Sequence, residues 1–120
     1  MTHSPIALIL RAEALATLIA ALFAYHLTGA SWWLFAALIL VPDLSMIGYL
    51  HGPRTGAICY NIVHSYAPVL TLGAALWALG IPFALPLTAI LVAHIAADRA
   101  MGFGLKRSTG FHDTHLQSFA

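Results

Sequence analysis

Charge is what this sequence has least of. Asp, Glu, Lys and Arg together make up 8% of its 120 residues, against about 25% in a soluble domain. Hydrophobic residues account for 61%, and the mean hydropathy is +0.88. That balance excludes an ordinary soluble domain and reads as an integral membrane protein in one compact unit. A formal net charge of +1 gives no footing for a nucleic-acid partner or acidic substrates. The single cysteine, Cys59, excludes an internal disulfide and a Cys-rich metal site. Its apolar or small neighbours make it a packing thiol. The N-terminus lacks the basic stretch of a signal peptide, and Arg11 and Glu13 interrupt the apolar core that one would need. The first apolar run therefore reads as a retained span.

Apolar runs, by contrast, are abundant. A spanning helix needs about 20 mostly apolar residues, and four stretches qualify: 5–26, 31–50, 54–79 and 82–103. Ser4-Pro5 and Ser31 supply helix starts, while Thr28-Gly29-Ala30, His51-Gly52-Pro53 and Gly80-Ile81-Pro82 supply breaks. The connections are short, so successive helices should be antiparallel neighbours. Pro42, Pro68 and Pro86 fall inside the expected helices and read as ordinary membrane-helix prolines able to kink them. The first and third connections carry no Asp, Glu, Lys or Arg, whereas Arg11, Arg54, Arg99, Lys106 and Arg107 gather at the opposite end. The positive-inside rule then places both termini and the 51–54 turn in the cytoplasm. Trp32, Trp33 and Trp77 mark the outer interface. The expected fold is all-α: a four-helix transmembrane bundle of antiparallel up-down topology over 1–107. A polar tail, 108–120, follows.

The few polar groups fall at one depth. At about 1.5 Å rise per residue, Glu13, Asp43, His64 and His94 lie roughly 12–15 Å from the cytoplasmic helix ends. Asn61 and Asp98 lie about one turn nearer the cytoplasm. His94 and Asp98 are four apart and share a helix face, as do Asn61 and His64, three apart. Arg11 and Glu13 are two apart and point differently, so Glu13 can face the bundle while Arg11 snorkels to the headgroups. Ionisable groups at such depths are expensive and need partners.

Two imidazoles and two carboxylates, His64, His94, Asp43 and Asp98, form an N/O ligand set for Zn²⁺, Fe²⁺ or Mn²⁺. Glu13 is then a candidate general base or further ligand, Asp43 a candidate catalytic group as well as a ligand, and Asn61 a supporting donor. Two other readings compete. One is a structural or proton-relay network that fixes helix register through hydrogen bonds. The other is axial haem ligation by His64 and His94, for which the bundle looks small. In the tail, His112, Asp113 and His115 could fold over the cytoplasmic mouth with Phe111 and Leu116 as anchors. A disordered terminus competes with that lid.

Five stretches, LRAEALA, SWWLF, PDLSMIGYL, GPRTGAICYNIVHSY and HIAADRAMGFGLKRSTGFHDTHL, resemble a family of small bacterial membrane proteins known as domain of unknown function 4260. The resemblance covers most of the chain and implies a four-helix membrane protein, but brings no activity or cofactor with it. The family pattern often has tyrosine at the position of Phe103 and lysine at that of His112, which counts against His112 as a ligand. A looser likeness is to intramembrane zinc hydrolases such as ceramidases, which also place His and Asp on several helices near one bilayer level.

These readings converge on a multi-pass protein of the bacterial inner membrane with a buried His/Asp/Glu site opening to the cytoplasm. As an enzyme it would be a metal-dependent hydrolase of a lipid or other membrane-soluble substrate. Its rival is a proton- or ion-coupled transport component or a helical membrane subunit, which at this size would need a homo-oligomer.

Overall fold

The computed structural model describes residues 5–102. The expected tail with its His112–Asp113–His115 lid, together with Phe103, Lys106, Arg107 and the Ser4 cap, lies outside them. The described residues form helices joined by short turns, with no strand among them. Five α-helices, α1 (Pro5–Thr28), α2 (Trp32–Leu38), α3 (Pro53–Val63), α4 (Tyr66–Ala78) and α5 (Ala84–Ala100), are joined by one 3₁₀ helix, Val41–His51. Ser31 caps α2 as expected, its hydroxyl accepting from the Trp33 N–H at 3.1 Å. Gly29 and Gly80 turn the chain at φ +73° and +75°, which a residue with a Cβ adopts only under strain.

Two of the four expected spans are not continuous α-helices, and a proline explains each interruption. Pro68 has no N–H to offer the His64 carbonyl four residues earlier. His64 (φ −110°, ψ 20°) and Ser65 (φ −120°, ψ 139°) leave the helix there, dividing the third span into α3 and α4. In α4 Pro68 falls in the first turn, where a missing donor costs nothing. Pro42 likewise has no N–H for the Leu38 carbonyl, and α2 ends at Leu38. The chain continues as 3₁₀ helix, the Asp43 N–H reaching the Leu40 carbonyl at 3.1 Å. Its side chains follow the three-residue turn. Val41, Leu44, Ile47 and Leu50 form an exposed apolar row. Asp43, Met46 and Tyr49 form a half-buried row. Tyr49 lies against Gly56 of α3, where any Cβ would collide with its ring.

The central helix is α5, which buries eight residues, among them Ala89, Ile90, Ala93, His94, Ile95 and Ala96. It packs against both α1 and α4, while the 3₁₀ helix packs on α3. On α1 the buried positions Ala7, Ala14 and Ala21 recur every seven residues, the spacing that keeps one seam against a neighbouring helix. Arg11 reaches the far end of α5, its Nε donating to the Ala100 carbonyl at 2.9 Å. Tyr25, near the other end of α1, packs with Ala89 and Ile90. The two helices are therefore antiparallel.

Small residues fill the interior and large apolar ones cover the outside. Leu27, Trp33, Leu50 and Leu79 are each at least 70% exposed. The helix α1 and the 32–51 segment are long and apolar enough to cross a bilayer.

Candidate metal centre

Both interruptions free backbone carbonyls, and the site is built on them. At the end of α2 the Ile39 carbonyl loses its ordinary helical partner, because the Asp43 N–H has moved to Leu40. The Nδ1 of His94 hydrogen-bonds to that carbonyl. At the end of α3 the Nδ1 of His64 lies 2.9 Å from the Tyr60 carbonyl. The His64 carbonyl, left without a donor by Pro68, receives the Arg99 guanidinium at 3.1 Å. Arg99 itself sits over the Tyr66 ring at 5.3 Å. Each break thus releases an acceptor that a residue of α5 takes up.

These bonds decide the chemistry of the imidazoles. A carbonyl accepts only, so each Nδ1 must carry the proton and donate. In a neutral imidazole the other nitrogen, Nε2, is then a bare lone pair. The two Nε2 atoms lie 3.0 Å apart, facing each other. Asp43 Oδ1 stands 3.3 Å from His64 Nε2 and 3.1 Å from His94 Nε2. Asp98 Oδ2 stands 3.5 Å from His64 Nε2 and 3.3 Å from His94 Nε2. Four electron-pair donors converge on one point, carrying two negative charges between them. A divalent cation would satisfy all four donors and offset the charge of the two carboxylates. A single shared proton would also fit, as an N–H···N hydrogen bond across 3.0 Å, whereas two imidazolium N–H groups would meet head-on.

The spacing also suits a metal. Ligands held about 2.0–2.1 Å from a four-coordinate ion are about 3.3 Å from one another. The five separations above span 3.0–3.5 Å. The ligand atoms of Asp43, His64, His94 and Asp98 all lie within 4.8 Å of one another. Access is one-sided: His64 and His94 side chains are 3% and 4% exposed and Asp98 17%, but Asp43 is 38% exposed.

The structure therefore brings together four of the residues singled out in the sequence. Glu13 is exposed on α1 and stands outside the group. Arg11, expected to point to the headgroups, is the half-buried one, because it lies three and four residues from Ala14 and Ala7 on the buried seam. Asn61, the expected supporting donor, is half-buried on α3, one turn before His64. Tyr60 and Arg99 are not among the site candidates read from the sequence. Tyr60 stacks on the His64 ring at 3.7 Å and its hydroxyl reaches Asp98 Oδ2 at 3.4 Å. Its position one turn before His64, and that of Pro68 one turn after, are the sequence signals for this arrangement.

The match to known families extends over the whole of this architecture. Residues 7–119 match the family described as Domain of unknown function (DUF4260). The chain belongs to that family. No curated protein and no solved structure matches it. The family match thus spans α1 to α5 and all four ligand candidates, and the chemistry rests on the site's own geometry.

Proposed function

We propose that this DUF4260 protein is a multi-pass protein of the bacterial inner membrane that binds one divalent metal ion through Asp43, His64, His94 and Asp98. We further propose that the metal serves hydrolysis of a lipid or other membrane-soluble substrate. The observation that carries the reading is the pair of Nδ1 hydrogen bonds to backbone carbonyls, which turns both Nε2 lone pairs towards the two carboxylates. Orienting bonds of this kind are what metal-ligating histidines ordinarily have. Two imidazoles with two carboxylates suit Zn²⁺, Fe²⁺ or Mn²⁺ rather than a soft or an all-oxygen metal.

Membrane residence is supported by the two long apolar helices and by the exposed leucine, isoleucine and tryptophan side chains. With both termini cytoplasmic, the partly exposed Asp43 is the side from which water and substrate reach the metal. With water in place of the half-exposed Asp43, a metal held by the other three residues would lower the pKa of that water and so supply a nucleophile near neutral pH. Lipid is the immediate partner, and a homo-oligomer is compatible with the small size.

Elemental analysis of detergent-purified protein tests this reading. The expected result is about one Zn, Fe or Mn per chain, removable by a chelator and restored by adding metal. Protein that neither carries such a metal nor takes one up would contradict it. The four groups would then be a proton-holding or register-fixing network, as a transport component or helical subunit would use.

A further inference from the structure

Tyr60 touches the centre in three ways at once. Its backbone carbonyl faces His64 Nδ1 at 2.9 Å, its ring stacks on the same imidazole with 4° between the planes, and its hydroxyl reaches Asp98 Oδ2 at 3.4 Å. One side chain on α3 therefore braces a ligand candidate on its own helix end and another on α5. It is itself 3% exposed.

The hydroxyl is the part that a packing role does not require. A phenylalanine would fill the same volume and stack equally well on His64. An ionised carboxylate only accepts, so the Tyr60 O–H donates to Asp98 Oδ2. That is the same oxygen that stands 3.3 and 3.5 Å from the two Nε2 atoms. One lone pair of Oδ2 is thus engaged by the phenol while the oxygen is aimed at the imidazole pair. The donation fixes the plane of the carboxylate and favours its use through one oxygen. Asp98 used in this way leaves two nitrogens and two single oxygens, the donor set of a four-coordinate ion. A carboxylate free to turn offers both oxygens, which suits metals that take more ligands.

We infer that Tyr60 is the positioning residue that holds Asp98 as a one-oxygen ligand and thereby tunes the site to a four-coordinate metal such as Zn²⁺. This rests on the metal reading above and deepens it.

Co²⁺ in place of Zn²⁺ is the probe, since its visible absorption is strong when it is four-coordinate and weak at higher coordination. The purified parent protein, stripped of metal and titrated with Co²⁺, should give the intense bands. Tyr60→Phe should bind Co²⁺ about 10-fold more weakly, at the low end for a residue supporting a ligand, with weaker, shifted bands. Its preference for Zn²⁺ over Mn²⁺ should shrink, while metal-free helix content and unfolding temperature match the parent. A Tyr60→Phe protein with the parent's spectrum, affinity and metal preference overturns the inference. Parent protein that binds no Co²⁺ or Zn²⁺ fails at the earlier step and overturns the metal reading itself. Should Tyr60→Phe not fold, labelling the parent with 3-fluorotyrosine keeps every hydroxyl and strengthens its donation. Altered Co²⁺ bands support the inference and unaltered bands overturn it.

Discussion

The α1–α5 pair and the segment from Trp32 to Ala78 are made of similar apolar residues but are built on opposite plans. In the first, two regular helices lie antiparallel along alanine seams, Ala7, Ala14 and Ala21 against the alanines of α5. Backbone groups in the middle of such a helix are already paired, and the extra donors their carbonyls take come from the same helix, as Glu13 takes Thr17 and Ala84 takes Thr88. In the second, prolines at 42 and 68 interrupt the helices and release the Ile39 and His64 carbonyls. Those carbonyls, not side chains, take the His94 and Arg99 donors. Regular helix supplies rigidity and broken helix supplies acceptors. The site stands where the two plans meet, with His94 and Asp98 from one and Asp43 and His64 from the other.

The division can be broken most severely at the meeting point. His94→Ala removes a proposed ligand and should lower metal affinity by more than the roughly 100-fold expected from a supporting residue. Helix content by circular dichroism should stay unchanged, and retained metal after dialysis would remove His94 from the ligand set. Next in size is a change confined to the regular half. Ala14→Leu overpacks the α1–α5 seam and should cost about 1–3 kcal/mol of stability in detergent. The folded fraction should bind metal as tightly as the parent. If metal affinity falls with stability, the two halves are not separable.

Pro68→Ala sharpens the comparison at smaller scale. It returns an N–H to the His64 carbonyl, so Arg99 gains a competitor and the α3–α4 break is relieved. Metal affinity should drop about 10-fold, with stability unchanged or slightly raised, as read by Co²⁺ titration and thermal unfolding. The smallest effect belongs to Glu13→Gln. Glu13 is exposed on the regular helix, so stability should stay within about 0.5 kcal/mol and metal content should be the parent's. A loss of metal in that variant would return Glu13 to the site.

How much of this could be read from the sequence follows the same division. From rise per residue alone, Asp43, His64 and His94 fall near one level and Asp98 about one turn nearer the cytoplasm. The 41–51 stretch is 3₁₀ helix, which rises about 2.0 Å per residue, so Asp43 lies farther from the His51 turn than an α-helical rise gives. Rise per residue sets Glu13 at that level too, but carries no information on which way it points. The heptad of alanines on α1 decides that, and it puts Arg11 on the buried seam instead. Continuous second and third helices were expected because hydropathy does not register a missing N–H. Pro42 and Pro68 were visible, but their effect depends on what takes the freed carbonyls, and the donors come from α5, far along the chain. The three-residue recurrence of Val41, Leu44, Ile47 and Leu50 was the one local sign of 3₁₀ geometry. The Tyr60–Asp98 contact joins residues 38 apart, and no local pattern could announce it.

The central claim is that both histidines are held with Nδ1 protonated and Nε2 turned to a common point. Nitrogen-15 NMR of the imidazoles in histidine-labelled protein reads this directly, with His64→Gln and His94→Gln assigning the signals. The account predicts that in metal-loaded protein His64 and His94 both keep the Nδ1 proton and that both Nε2 signals shift when metal is removed. A proton found on Nε2 of either ring in the loaded protein, or Nε2 signals indifferent to metal, would contradict it.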